Sequence, residues 1–535
     1  MTVRLLVVGL LVTSLFAVGA SVAGAQEEGG AARTARRGDG PWFGIALPPG
    51  PDAGPAVVVG PRAPRPVTTP ADPASPELTS DPLVADLATI VGFSKQSRRE
   101  REVGRGQLWG RIAGLPSADR AVDWAAEQLR RAGIADVRVQ TIQQDPRASL
   151  WLPTAWEVRL LGDTRFGAGS TDVVLHSAIP VVPSEIPGGT LTAPLVFIGT
   201  GGPAVVEHLD VKGKIAVQLT VPQGHMLFER GAVTGQAQAL FVRGAVAVLT
   251  LLRLPGNEPG RDFSNCGGPC FNLGGRDGWF LEQVLHQAAT KGVSDALRAT
   301  LTLTAETRRG LSARNAVAVV PGASDETVLI DAHADAWFDG AGDNADGLAV
   351  MLGLARHFAK PANRPARTLV FIVSAGHHTP GINGPRAFIA ANPDLAAKAV
   401  LMLNIEHVAQ RNFSPARSTF ADGYRQAMAD TGEAPIYAGI STASAPVNAL
   451  FAAGVTGYGV NFISADSDMG SGETGGFTSL GAARVTIIQA PPLYHTTGET
   501  LEVISAPGLE RMARFLAHFV REVAAMPRIA LGRHP

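Results

Sequence analysis

The feature that most constrains this chain is a set of four short apolar runs in its second half: TVLIDAH, TLVFIVSA, AVLMLNI and VTIIQA. A run without polar alternation has no face to offer to water. It therefore reads as a strand covered on both sides, as in a parallel sheet. Between the first two runs, Leu348, Met351, Leu352 and Ala355 form a helical apolar stripe. Another helix is expected from Pro385 to Ala391, and Ala506 to Ala525 is strongly amphipathic. Strands alternating with helices predict an α/β fold, with a mostly parallel sheet and helices on both faces. Upstream, Ala121, Val122, Ala125 and Leu129 mark a helix with Ser117 as its N-cap and Gly133 as its stop, followed by the strand VRVQTI.

Residues 191–308 change character. APLVFIG, LDVKGKIAVQLTV and FVRGAVAVLTLL are strand-like runs divided by Gly and Pro. They predict a β-rich unit inserted into the α/β domain, which then comprises 83–190 and 309–527. Residues 26–82 are dense in Pro, Ala, Gly and Arg. Proline fixes φ and removes a backbone donor, so a linker is predicted there. The first 25 residues combine Arg4, an apolar stretch from Leu5 to Val18, and Ala23-Gly24-Ala25 before Gln26. That pattern predicts a secretory signal peptide. The apolar stretch is shorter than the roughly 20 residues a bilayer span needs, and no later stretch reads as a span. The expectation is a secreted protein, extracellular or periplasmic, without stable membrane insertion after cleavage. Export also lets Cys266 and Cys270 pair in a small loop. Lys and Arg total 46 against 47 Asp and Glu, a net charge of −1, which excludes a broad basic surface for nucleic acid.

The chemical signal is positional. Ligands of an open parallel sheet bind beyond the carboxyl ends of its strands. Here the first run ends in His333, with Asp335 and Asp343 following. The second leads into His377-His378, the third into Glu406-His407, and the fourth into Tyr494-His495. Separate strands thus deliver imidazoles and carboxylates to one edge, a donor mixture suited to zinc and its first-row neighbours.

These segments resemble the co-catalytic zinc aminopeptidases, the family of aminopeptidase Y and the secreted bacterial leucyl aminopeptidases. HADAWFDGAGDNADG is similar to the family's first metal segment, NIEH to its Asn-x-Asp, and LYHTTGET to its Tyr-His-Thr-x-x-Asp-Thr. VFIG, DVKGKIAV and GAVAVL resemble a protease-associated domain. The resemblance implies two zinc ions per chain and a peptide or small-amide substrate. It assigns His333 and Glu406 to one metal, His495 to the other, and Asp343 to both, with His378 at a further ligand position. Asp335 would orient His333, Glu499 would support His495, and Tyr494 would donate to the developing oxyanion. It also implies a cis peptide between Asp343 and Asn344.

The chain departs from the family at His377-His378, where the family carries two glutamates, a general base followed by a ligand. His378 retains donor capacity, and His377 replaces the base, since an imidazole titrates near neutral pH. The alternative is a relative whose metal site is structural or binding. A third reading, glutaminyl-cyclase-like transfer, needs an acidic proton shuttle that the sequence does not indicate. Trp337 and Phe338 are candidates for a pocket wall or for loop packing. Asp466 and Asp468, in SADSDMGSGETGGF, are similar to the family's Ser-Asp stretch. His357 reads as structural, His407 is expected to point away from Glu406 as strand neighbours do, and Ser374 lacks a nucleophile-elbow setting.

Overall fold

The computed structural model describes residues 40–48, 50, 75–220, 230–253, 256–261, 266–415, 428–440, 444–466, 472–489, 491 and 493–532. The expected signal peptide and Asp468 lie outside them. Among the described residues, no helix is long and apolar enough to cross a membrane.

The first sheet has eight strands: β1 (Asp136–Gln143), β2 (Ser312–Val320), β3 (Ser324–His333), β4 (Arg367–Ser374), β5 (Ala399–Ile405), β6 (Ile436–Ile440), β7 (Phe462–Asp466) and β8 (Ala483–Ile488). Their spatial order is β1-β2-β4-β3-β5-β8-β6-β7. The central strands β4, β3, β5 and β8 run parallel. The contacts of β1 with β2, β2 with β4 and β6 with β8 are antiparallel. The sheet is therefore mixed: parallel where the four apolar runs lie, antiparallel at β1-β2, β2-β4 and β8-β6, and parallel again between β6 and β7.

Those runs are apolar on both faces because both faces are covered. On β4, Leu369, Phe371 and Val373 join one core cluster while Val370 and Ile372 join another. The larger cluster packs under α1 (Ser80–Glu100), α2 (Pro116–Arg131), α3 (Asp346–Phe358), α5 (Ala445–Gly457) and α6 (Ala506–Ala525), and the smaller includes Phe388 of α4 (Gly384–Ala391). Helix α3 is buried along nearly its whole length. It holds the loop after β3 from beneath. Ser117 is not the cap of α2: the helix starts one residue earlier, at Pro116, and the Ser117 hydroxyl donates to the Gly110 carbonyl at 2.8 Å.

A second eight-stranded sheet contains Val173–Val174, Leu150–Leu160, Arg298–Arg308, Thr190–Gly199, Ile215–Thr220, Ala247–Leu252, Cys270–Leu273 and Ile179–Pro180, in that order. The boundary expected at residue 190 moves upstream. Leu150–Leu160 pairs along its length with Arg298–Arg308, so residues from 150 onward belong to this sheet. Cys266 and Cys270 form a disulfide in this unit.

Part of the expected linker is packed. Trp42 is 1% exposed, its ring stacks on Phe166 at 5.2 Å, and its indole nitrogen donates to the Thr171 carbonyl at 3.0 Å. Proline density there is compatible with a docked irregular segment, because two aromatic side chains supply burial without any ladder of backbone bonds.

Candidate metal centre

Strand β3 ends at His333, and the chain then turns through Asp335 into a short helical turn, Ala341–Ala345, ahead of α3. Asp343 lies in that turn, and its peptide bond to Asn344 is cis. Each oxygen of Asp343 meets two imidazoles. Oδ1 lies 3.2 Å from His333 Nε2 and 2.9 Å from His407 Nε2. Oδ2 lies 3.1 Å from His378 Nε2 and 2.8 Å from His495 Nε2. Glu406 Oε1 approaches His333 and His377, each at 3.6 Å, while its other oxygen accepts from Asn404 at 2.9 Å. Every one of these groups except His377 is buried.

The expected residues His333, Asp343, His377, His378, Glu406 and His495 are thus brought to one place. Their ligand atoms fall into three overlapping groups, each within 4.8 Å: His333, Asp343, Glu406 and His407; Asp343, His378 and His495; and His333, His377, Glu406 and Glu473.

Tautomers test whether this donor set fits a metal. His407 Nδ1 faces the Gln489 carbonyl at 2.7 Å, and His333 Nδ1 faces the Asp335 carbonyl at 3.0 Å. A ring whose Nδ1–H is donated to a carbonyl presents a lone pair at Nε2. Both Nε2 atoms face carboxylate oxygen, and His333 Nε2 is buried without a hydrogen-bond partner. Contacts at such distances are bridged by a proton or by a cation, and this buried mixture of imidazole and carboxylate donors fits divalent ions. Burial pushes Asp343 up, but His378, His407 and His333 hold it well below the ordinary carboxylate range. Burial pushes His407 down, yet Asp343 and Glu406 raise it to about 10.

Two sequence expectations need correction. The Asp335 carboxylate does not orient His333: it lies 3.8 Å from Nδ1, and the carbonyl of the same residue takes that contact. The carboxylate instead accepts from the amides of Gly376, His377 and His378, at 3.1, 3.3 and 2.9 Å. It therefore fixes the loop after β4. His407 does not point away. Strand β5 ends at Ile405, and φ of +51° at His407 breaks the strand alternation, so both residues of the pair face inward. Asp466 ends β7 at the far edge of the sheet, three strands beyond β5.

Glu473 was not singled out from sequence. It lies in a Gly-rich segment, Gly472–Leu480, and its two oxygens hold His377 Nδ1 at 3.0 and 3.1 Å. The only signal was a lone acid among glycines. Gly472 itself is required, since φ is +63° and a Cβ there would meet Glu406 Oε2 at 1.9 Å. Glu499 supports His495 through its backbone amide at 3.3 Å and is fixed by Gln410 at 2.6 Å. The Tyr494 ring stacks on His495 at 3.6 Å and lines a cleft of about 450 Å³ with His377, His378 and Thr379. Trp337 and Phe338 are packed into the core of the second sheet, and the Trp337 ring also lies 5.8 Å from His378. His357 bonds Glu77, and the Ser374 hydroxyl donates to Asp331.

Residues 315–520 match the model of peptidase family M28. The part of the chain that carries the cluster is thus similar to that family. Three solved structures resemble the whole fold. A peptidase M28 precursor from Shewanella amazonensis is 18% identical, with 85% of this chain and 99% of that chain covered and a TM-score of 0.60. A zinc aminopeptidase from Bacillus subtilis is 18% identical, with 85% and 98% covered and a TM-score of 0.54. An aminopeptidase from Aneurinibacillus sp. strain AM-1 is 20% identical, with 83% and 94% covered and a TM-score of 0.50. At these identities the likeness is one of fold. No curated protein matches the sequence. The match to a peptidase family and the buried imidazole and carboxylate donors together support a hydrolytic metallopeptidase.

Proposed function

We propose that this chain is an exported two-zinc hydrolase of peptide or related amide bonds, with His377 as its proton carrier. The observation that carries this reading is Asp343, whose two oxygens each face a pair of imidazoles. His333, Glu406 and His407 would hold one ion, His378 and His495 the other, and Asp343 both. The ions, when bound, would lower the pKa of a water molecule and polarise the scissile carbonyl.

The chain's own residues supply the remainder. His377 Nδ1 is committed to Glu473, so Nε2 is the atom free to take a proton from water and return it to the leaving amine. Glu473 would fix that tautomer and stabilise the imidazolium as it forms, the part a buried carboxylate plays beside a catalytic histidine. Burial lowers the His377 pKa, while Glu473 and Glu406 raise it to about 9 in the metal-free protein; two adjacent cations would lower it again toward the neutral ring that a base must present. Tyr494, on the cleft wall beside His495, is the donor for the oxyanion. Asp335 holds the amides of the 376–378 loop, so its part is to position both histidines. The second sheet is read as a protease-associated unit, and the export signal as the first 25 residues.

The test is hydrolysis of a peptide library by zinc-loaded protein, with His377→Ala beside it. The expected result is chelator-sensitive cleavage that falls by 10²- to 10⁴-fold in the variant, with zinc content unchanged. Loss of zinc in His377→Ala would make His377 a ligand, as its 3.6 Å approach to Glu406 permits. Full zinc loading without cleavage of any amide would leave the alternative, a structural or binding metal site.

A further inference from the structure

Between His333 and the turn of Asp343 the chain runs through residues 334–340, which are buried throughout yet belong to no helix or strand. Buried backbone outside a ladder needs other partners for its carbonyls and amides. Arg111, fully buried on a distant segment, supplies several of them. Its Nε donates to the Ala334 carbonyl at 2.8 Å, Nη1 to the Asp339 carbonyl at 2.9 Å and Nη2 to the Gly340 carbonyl at 3.0 Å. Its own carbonyl accepts from the Ala336 amide at 2.9 Å. One residue thus grips the loop just after His333, on both sides of Asp335, and again at Gly340, which precedes the turn that carries Asp343.

The neighbours of Arg111 complete the clamp. Phe338 N donates to the Trp109 carbonyl at 2.8 Å, and the Trp109 indole nitrogen donates to the Asp339 carboxylate at 3.2 Å. Between them Gly110 has φ of +148°, and a Cβ there would meet the Ala336 carbonyl oxygen at 2.3 Å, so the two segments touch backbone to backbone. Phe338 is held at φ of +53°, a conformation that a bulky residue keeps only where its surroundings over-determine it. Ser94 of α1 accepts from Arg111 Nη1 at 2.8 Å and steadies the guanidinium.

This clamp bears on the metal centre through Asp335. The Asp335 carbonyl faces His333 Nδ1, and its carboxylate accepts from the amides of the 376–378 loop. Arg111 holds the peptide on each side of that residue, so it sets where both contacts fall. A lysine is a point donor, whereas a guanidinium keeps its N–H groups in one fixed plane that several carbonyls can share. The charge by itself works against metal. Burial lowers the Arg111 pKa to about 10 although Asp343, Asp335, Asp339 and Glu499 raise it, so the group is a cation at neutral pH. A buried cation near a dication site repels the incoming ion. We propose that Arg111 is a positioning residue of the metal centre, which fixes Asp335 from both sides and thereby aims His333 and the 376–378 loop at Asp343. This inference rests on the metal reading above and adds a residue to it.

The experiment titrates zinc, and separately cobalt, into the metal-free full chain, for the wild type and for Arg111→Met, Arg111→Lys and Ser94→Ala. Thermal melting of each metal-free protein is recorded beside the titrations. In Arg111→Met, zinc affinity should fall by roughly 10- to 100-fold, the usual cost of losing a group that orients metal ligands. The visible spectrum of the cobalt-loaded variant should change with it, because the ligand geometry changes. Arg111→Lys keeps the charge without the planar fork and should weaken zinc by roughly threefold or more. Ser94→Ala should show a smaller loss in the same direction. If Arg111→Met does not melt as a folded protein, the other two variants decide. Wild-type affinity in Arg111→Lys overturns the proposal, since a point charge would then suffice, and so does tighter zinc in Arg111→Met. Unchanged affinity and cobalt spectrum in folded variants, with only the melting temperature lowered, overturns it as well. A wild-type protein that binds no zinc defeats the metal reading itself and the proposal with it, whereas zinc binding that no variant alters defeats the proposal alone.

Discussion

The two sheets of this protein have equal strand numbers and similar parallel cores, yet among the described residues only one carries a cluster of metal-capable side chains. In the second sheet, Thr190–Gly199, Ile215–Thr220, Ala247–Leu252 and Cys270–Leu273 run parallel, as β4, β3, β5 and β8 do in the first. Their carboxyl ends differ. Gly199 is followed by Thr200 and Gly201, Leu252 by Arg253, and Leu273 by Gly274 and Gly275. In the first sheet the corresponding positions lead into His333, His377-His378, Glu406-His407 and His495. Among the described residues, all three groups of possible metal donors lie at the first sheet. Parallel topology supplies an edge where loops converge; the residues set on those loops decide whether the edge binds anything. In the second sheet the same kind of edge supports packing, and among the described residues its 256–261 loop pairs with the loop that carries His495.

Substitutions in the two regions should therefore fail in different ways. The largest effect is expected for Asp343→Ala, which removes the only group shared by both imidazole pairs. Hydrolysis should fall by roughly 10⁴-fold, about 5.4 kcal/mol of transition-state stabilisation, with zinc lost as measured by elemental analysis. Zinc retained at wild-type level would break the contrast. Next is Trp42→Ala in the second unit. Truncating a fully buried tryptophan costs about 3–5 kcal/mol, so thermal unfolding should shift clearly downward while zinc content stays constant. A change in zinc content there would show that the packing unit supports the centre directly.

Gly472→Ala sharpens the comparison within the first sheet. The new methyl would collide with Glu406 Oε2, in a backbone conformation that disfavours a side chain. Activity should fall by about 10- to 100-fold, a cost of roughly 1–3 kcal/mol, with one zinc weakened more than the other in a chelator titration. The smallest effect is at Glu77, which shows what a buried carboxylate of the first unit does when it is not at the strand edge. Burial raises its pKa, but hydrogen bonds from Lys360 and His357 more than offset this, leaving it below its ordinary value. A depressed carboxylate contributes stability above its unfolded pKa and loses it as pH falls through the folded value. Acid unfolding below about pH 4.5 should therefore be shallower in Glu77→Gln, with a loss on the order of 1 kcal/mol at neutral pH. Calorimetry across pH 3–7 checks this, and activity at neutral pH should not change.

Much of this division was legible in the sequence, for identifiable reasons. The four apolar runs became β3, β4, β5 and β8 because burial on both faces leaves no ambiguity of period. Helix α6 covers Ala506–Ala525 as its amphipathic stripe predicts. The residues expected at the strand ends converge because topology fixes where those ends lie. What escaped depends on partners distant in sequence or on one backbone angle. Leu150–Leu160 joins the second sheet through a strand that begins near residue 298, and no local pattern encodes that pairing. Trp42 reads as part of a Pro-rich linker until Phe166 and Phe280 are seen around it. His407 turns inward through a positive φ that strand periodicity does not foresee. Glu473 reaches His377 from 96 residues away.

The most direct measurement is the zinc stoichiometry of the purified full chain, determined by elemental analysis for the wild-type protein and for Asp343→Ala. The account predicts two equivalents per chain in the wild type and loss of both in the variant, because one aspartate joins both halves of the centre. A wild-type protein that binds less than one equivalent, or an Asp343→Ala variant that keeps two, would contradict it.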